Sequence, residues 1–309
     1  WDDKRFENIT EVWLGGDHYK WRLMRANGVD ERFITGDAPA REKFQKWAET
    51  LGRCVGNPVF EWSHLELKRF FGYEGVLNGQ TAQEVWDLAN AKLATPEFSC
   101  RELIRRSNVR MICTTDDPAD DLMYHKLIAE DKSFTTKVIP AFRPDKALAA
   151  EAPAFVPWLK SLEKQYGKEI DTYTELKTAL LTRIELFASL GCRATDHAFT
   201  PVPYRRADEN ELNAIFAKAK KGEALSFDEA EAYKTELFRF FAKEYARRGW
   251  AMEMHIGPMR NNNTRMFASL GNSVTELKRV KMGALPLDES LAPDECRILT
   301  ESEIKLIGG

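Results

Sequence analysis

The side chains able to do chemistry gather where apolar runs give way to polar turns. The longest such stretch opens as Met252-Glu253-Met254-His255-Ile256, breaks at Gly257-Pro258, and continues through Arg260, Asn261-Asn262-Asn263 and Arg265. A histidine at a strand end, followed by a Gly-Pro break and a cationic loop, is where barrel enzymes keep metal ligands and substrate clamps. A satisfied, half-buried histidine beside an ordinary polar loop accounts for the same residues. Three similar places precede it: Asp116-Asp117, Arg143 with Asp145, and Asp196-His197. A guanidinium fork pairs bidentately with a carboxylate, and carboxyl or imidazole groups can carry protons. Near the start, Gly15-Gly16-Asp17-His18-Tyr19-Lys20-Trp21-Arg22 can bring backbone and polar heads to a small anion. A solvated helix start is the other reading of that stretch.

These groups need elements to position them. Residue patterning predicts strands over 109–114, 137–142, 192–195 and 250–256. Each ends in ionisable residues, so Asp196-His197 is expected just beyond the short third strand. Helices are predicted over 119–130, 154–166 and 174–190, with two more before the fourth strand. The last is announced by the capping box Ser226-Phe227-Asp228-Glu229 and stopped by Gly249. Strand, polar turn and helix in repetition imply βα units and a parallel sheet. In a (β/α) barrel the C-terminal strand ends share one mouth, so four ionisable ends in succession point to one site.

Residues 1 to 107 read as helices and loops without a strand. The segments are 11–27 (interrupted by Gly15-Gly16 and stopped by Gly28), a helix capped by Asp37, then 58–71, 81–93 and 100–106. His64 and His125 fall on amphipathic helices and read as structural or surface groups. Asp116-Asp117-Pro118 suits a helix cap as well as a ligand contact. After Gly271 no further βα unit can be drawn.

The chain has 309 residues, 43% hydrophobic and 30% charged, with a net charge of −3. That balance offers no electrostatic case for nucleic acid or a membrane surface as partner, and no apolar run is long enough to span a bilayer. Five cysteines, odd in number and without a CxxC pair, favour a reducing cytoplasm. Cys113 and Cys192 fit predicted strands as small buried hydrophobes. The first residues, Trp1-Asp2-Asp3-Lys4, carry neither an initiator Met nor a signal-peptide pattern. The expectation is a chain that begins part-way through a longer protein.

Taken together, WLGGDHYKWR, RANGV, GNPVFEWSHLEL, TTDDP, FRPDKA, the Asp196-His197 pair, EYARRGW and HIGPMRNNNTRMF resemble uronate isomerase (glucuronate isomerase) of the amidohydrolase superfamily. The resemblance runs from about Arg5 to Gly271. It implies an α/β fold: part of a distorted (β/α)8 TIM-type barrel, strands two to five, with a helical insertion. The expected division is 1–107 for the insertion, 108–271 for the barrel portion and 272–309 for an unassigned tail. The implied activity is aldose–ketose isomerisation of D-glucuronate to D-fructuronate, with galacturonate and tagaturonate as a further pair. The proton moves between C2 and C1 through an enediol, helped by a divalent metal, Zn2+.

By the same resemblance, His18 and Tyr19 reach the active site from the insertion, His18 touching substrate. Arg143 and Arg260 are the substrate-binding cations, Asp196 the active-site carboxylate and His255 the histidine at the metal. Tyr19 and Asp196 are the alternatives for the proton shuttle. The implied partner is a small uronate, and the implied whole enzyme is cytoplasmic and homo-oligomeric. The chain departs from the family pattern in lacking a His-x-His pair and any counterpart of the later metal-binding Asp and substrate Arg. It is therefore expected to be truncated at both ends, with an incomplete metal site and no activity alone. A metal-dependent hydrolase and a non-catalytic relic are the competing readings.

Overall fold

In the computed structural model, residues 3–257 are described, together with the backbone of 281–282 and 285–286. The chain divides into two compact units, with the boundary between Leu103 and Ile104.

The first unit is helical. Helix α1 (Ile9–Leu14) is capped by the Asn8 side chain, and α2 (His18–Ala26) by the Asp17 carboxylate, which accepts from the backbone of Tyr19 and Lys20. Gly15-Gly16 separates them. Helices α3 (Ala40–Leu51), α4 (Pro58–Glu66) and α5 (Ala82–Leu93) follow, and α6 (Cys100–Arg106) spans the boundary. The N-cap of α3 is Pro39, with no side-chain bond, so Asp37 does not cap it. Segment 58–71 is α4 plus a π-helical turn, Leu67–Phe71, closed by Gly72 at φ 66°. Phe44, Trp47, Leu51, Leu67 and Val85 form the centre of this unit's core. His64 is structural, as read: Nδ1 lies 2.6 Å from the Phe60 carbonyl and must donate, while Nε2 accepts from Leu77 N at 2.9 Å.

The second unit is α/β. Strands β1 (Met111–Asp116), β2 (Lys137–Phe142), β3 (Ala194–Phe199) and β4 (Ala251–Ile256) lie parallel in chain order. The linking helices are α7 (Met123–Glu130), α8 (Asp145–Leu148), α9 (Phe155–Tyr166), α10 (Tyr173–Ser189), α11 (Glu209–Lys220) and α12 (Phe227–Arg248). Helix α12 has the expected capping box, and Gly249 ends it at φ 62°. Phe142, on β2, is buried edge-on against Phe187 of α10 and against Phe241 and Tyr245 of α12. These rings hold the helix layer on the sheet.

Several element boundaries differ from the sequence expectation. Strand β1 runs on through Asp116, and α7 starts at Met123 rather than 119. The reason is a turn: Asp117 accepts from Ala119 N at 2.8 Å and from Trp158 Nε1 at 2.7 Å, and Leu122 sits at φ 56°. Strand β3 starts later and ends at Phe199, so Asp196 and His197 lie inside it. Cys113 is exposed on β1, and Cys192 is buried just ahead of β3 rather than within it.

The sheet is unevenly sewn. Strands β1–β2 and β3–β4 each pair over six residues, whereas β2 and β3 share the single register pair Phe142 and Thr195. Beyond Gly257 the described backbone is a short antiparallel pair, β5 (Lys281–Met282) with β6 (Leu285–Pro286).

Candidate active site

Strand alternation sorts the chemistry of β3 and β4 onto two faces. On one face Asp196 stands beside Glu253, and Ala198 beside His255, by backbone register. On the other, His197 points into the helix layer, its ring 5.4 Å from Phe238 and 5.6 Å from Tyr245. His197 is fully buried and neither ring nitrogen has a hydrogen-bond partner. Burial pushes its pKa down to about 4, so it is a neutral core group.

Arg143 follows β2 directly and gathers the first face. Its Nη1 donates to Asp196 Oδ2 at 2.9 Å and its Nε to Asp145 Oδ2 at 2.8 Å. Asp145 Oδ1 accepts from Ala198 N, on β3, at 3.2 Å. His255 Nε2 lies 3.0 Å from Asp196 Oδ1 and 3.5 Å from Glu253 Oε1. The contact with Asp196 lacks hydrogen-bond geometry, so Oδ1 is a buried acceptor without a donor. Burial alone lowers the Arg143 pKa, but the hydrogen bond and charge of Asp145, with the charges of Asp196 and Glu253, raise it overall. The cluster thus offers a fixed cation, a carboxylate oxygen with free lone pairs and an imidazole, on three consecutive strands.

The fourth strand end stays apart. Asp116 turns to the helix side, where Thr114 Oγ1 donates to its Oδ2 at 2.6 Å. His125 Nε2 is 2.7 Å from the same hydroxyl. The hydroxyl has one proton and gives it to the carboxylate, so Nε2 must be the donor to Thr114. His125 is buried and structural. Sequence reasoning named Asp145 beside Arg143 as an ionisable strand end without a role of its own, and passed over Glu253. Spacing carried a signal for both: Glu253 is two residues before His255 on one strand, hence on its face, and Asp145 is two residues after Arg143.

His18 and Tyr19 open α2 in the helical unit, their ring centroids 4.3 Å apart, with the Arg22 guanidinium 5.7 Å from the centre of the Tyr19 ring. Tyr19 is 62% exposed. Arg260 lies outside the described residues. A cavity of about 570 Å³ in the helical unit is lined by Asp30, Lys46, Glu49 and Arg53 among others. Lys46 is paired with Glu49 at 2.8 Å and Arg53 with Asn27 at 3.1 Å.

A catalytic divalent ion needs about three protein donors. His255 Nε2 and Asp196 Oδ1 have the right chemistry, yet among the described residues no group of three His, Cys, Asp or Glu is arranged to hold one. The described residues therefore do not fit a metal by themselves.

A sequence profile of glucuronate isomerase matches residues 1–277. Uronate isomerase of Lachnospira eligens is 52% identical over 270 residues, covering 87% of this chain and 58% of that protein. Uronate isomerase of Caldanaerobacter subterraneus subsp. tengcongensis is 46% identical over 305 residues, 99% of this chain and 64% of the relative. That alignment extends beyond Gly271, where the quoted motifs end. The crystal structure of uronate isomerase from Thermotoga maritima superposes with a TM-score of 0.83 at 35% identity, covering 88% of this chain and 60% of that one. The chain thus spans about three-fifths of the length of these relatives, and its parallel sheet and flanking helices are part of their fold. The chain belongs to the glucuronate isomerase family.

Proposed function

We propose that this chain forms part of an isomerase that interconverts D-glucuronate and D-fructuronate, with D-galacturonate and D-tagaturonate as a second pair. The observation that carries the reading is the chain of contacts Asp145–Arg143–Asp196–His255 across three strands, within a chain of this family. Arg143 takes the substrate carboxylate with guanidinium nitrogens that protein acceptors leave over. Asp196 Oδ1, an acceptor without a donor, takes the proton that leaves C2 and returns it at C1, while the hydroxyl proton passes from O2 to O1. His255 Nε2, 3.0 Å from Asp196 Oδ1, stands beside the carboxylate.

His18 and Tyr19 complete the proposed set, His18 touching the sugar and Tyr19 as the other candidate for the proton shuttle. Arg260 is the second cation. Zn2+ at His255 would call for donors beyond the described residues. The working protein is proposed to be a cytoplasmic homo-oligomer acting on a small sugar acid. Among the described residues no helix is long and apolar enough to cross a membrane.

Calorimetric titration with D-glucuronate and with D-glucose, which lacks the carboxylate, tests the binding half of the reading. Selective binding of glucuronate, lost in Arg143→Met, is expected; equal affinity for both sugars overturns it. Proton NMR in D2O tests the chemistry. Deuterium entering C1 of the fructuronate that forms is the signature of an enediol, and hydrolysis of a lactone or amide instead would mark a hydrolase.

A further inference from the structure

We propose that Asp145 is a positioning residue that locks the Arg143 guanidinium, leaving Nη2 as the nitrogen presented to a substrate carboxylate. This rests on the uronate-binding reading above. A guanidinium has five N–H donors in one plane. Asp145 holds Nε and Asp196 holds Nη1, so the plane is pinned at two separate nitrogens. Among the described residues no hydrogen bond engages Nη2. Asp196 alone would leave the group free to swing about one bond.

Asp145 is itself held. Its second oxygen accepts from Ala198 N, across the seam where β2 and β3 share only one register pair. One carboxylate thus joins the end of β2 to β3 and fixes the cation standing over that seam. A long, rotamer-rich side chain loses entropy when a ligand immobilises it, and one fixed beforehand loses less.

Charge alone predicts the opposite role. Arg143 is one cation among the carboxylates Asp145, Asp196 and Glu253. Removing the negative charge of Asp145 should, by Coulomb's law, help an anion bind. Removing a lock should weaken binding. The two views therefore differ in sign for Asp145→Asn, which keeps one acceptor oxygen but loses the charge and one of the two bonds.

The experiment compares the wild-type chain with Asp145→Asn and Asp145→Ala by two readouts. The first is the 15N-resolved Arg143 Nε–H signal without ligand, with the amide protection of Phe142 and Phe241 as the control for folding. The second is the dissociation constant for D-glucuronate. We expect Nε–H exchange to speed up and glucuronate affinity to fall, each about tenfold, while the core amides stay protected. An unchanged Nε–H signal in both variants overturns the lock, as does glucuronate binding that is unchanged or tighter. If wild type binds no glucuronate but the Nε–H signal responds, the uronate reading fails and the lock stands. Should Asp145→Ala lose core protection, Asp145→Asn alone decides.

Discussion

His197 shows how much one residue's setting outweighs its type. Its folded pKa is near 4 against an ordinary 6.5, and burial is the cause. Between those values the unfolded chain binds a proton that the folded chain excludes. Stability is therefore fully present above pH 6.5 and falls as pH drops toward 4, by about 3 kcal/mol over the window. Urea titrations at pH 7 and pH 5 should show about 2 kcal/mol of that loss in wild type. In His197→Phe the loss should shrink, because an apolar ring replaces two unpartnered nitrogens. Arg143→Lys keeps the charge but loses the planar fork, so it cannot hold Asp145 and Asp196 together. Glucuronate affinity is expected to drop about tenfold, checked by calorimetry. The Asp196-His197 pair was legible in the sequence as chemistry, but not as two unlike jobs. Only strand alternation assigns one residue to the cluster and the other to the core.

At the scale of elements, local signals were readable wherever side chain and backbone agree. The Ser226–Glu229 box and Gly249 marked both ends of α12, and β2 was readable at both ends. Ser226→Ala should lower stability by about 1 kcal/mol, read from the urea midpoint. Strand β1 was read two residues too early and β3 too short, because Asp116 and Asp196-His197 look like turn residues. Asp116 is held by Thr114, two residues back on the same strand, and one oxygen of Asp196 by Arg143 from far along the chain, and neither partner belongs to a turn pattern.

At the scale of the whole molecule, each unit carries its own core, one around Phe44 and Trp47, the other around Phe142 and Phe241. Phe44→Ala is expected to cost about 3–5 kcal/mol and to accelerate hydrogen exchange in residues 3–103 more than in 104–257. Phe142→Ala should show the reverse. Equal acceleration in both units would sink this expectation. The helical block, the parallel strands and the family motifs were legible in order along the chain. Which of the ionisable groups meet was not, since Arg143, Asp145, Asp196 and His255 converge whereas Asp116 and His197 stand apart.

The seam between β2 and β3 bears on how such proteins diverge. The contacts proposed to orient a sugar acid also bridge two strands that share one backbone register pair. Loss of Arg143, Asp145 or Asp196 would leave its former partners as stranded charges in the sheet, so genetic drift at these positions should proceed in company. A defective Arg143 variant should be rescued by a second-site change that neutralises Asp145 or Asp196. Such a revertant would regain its fold while remaining catalytically silent.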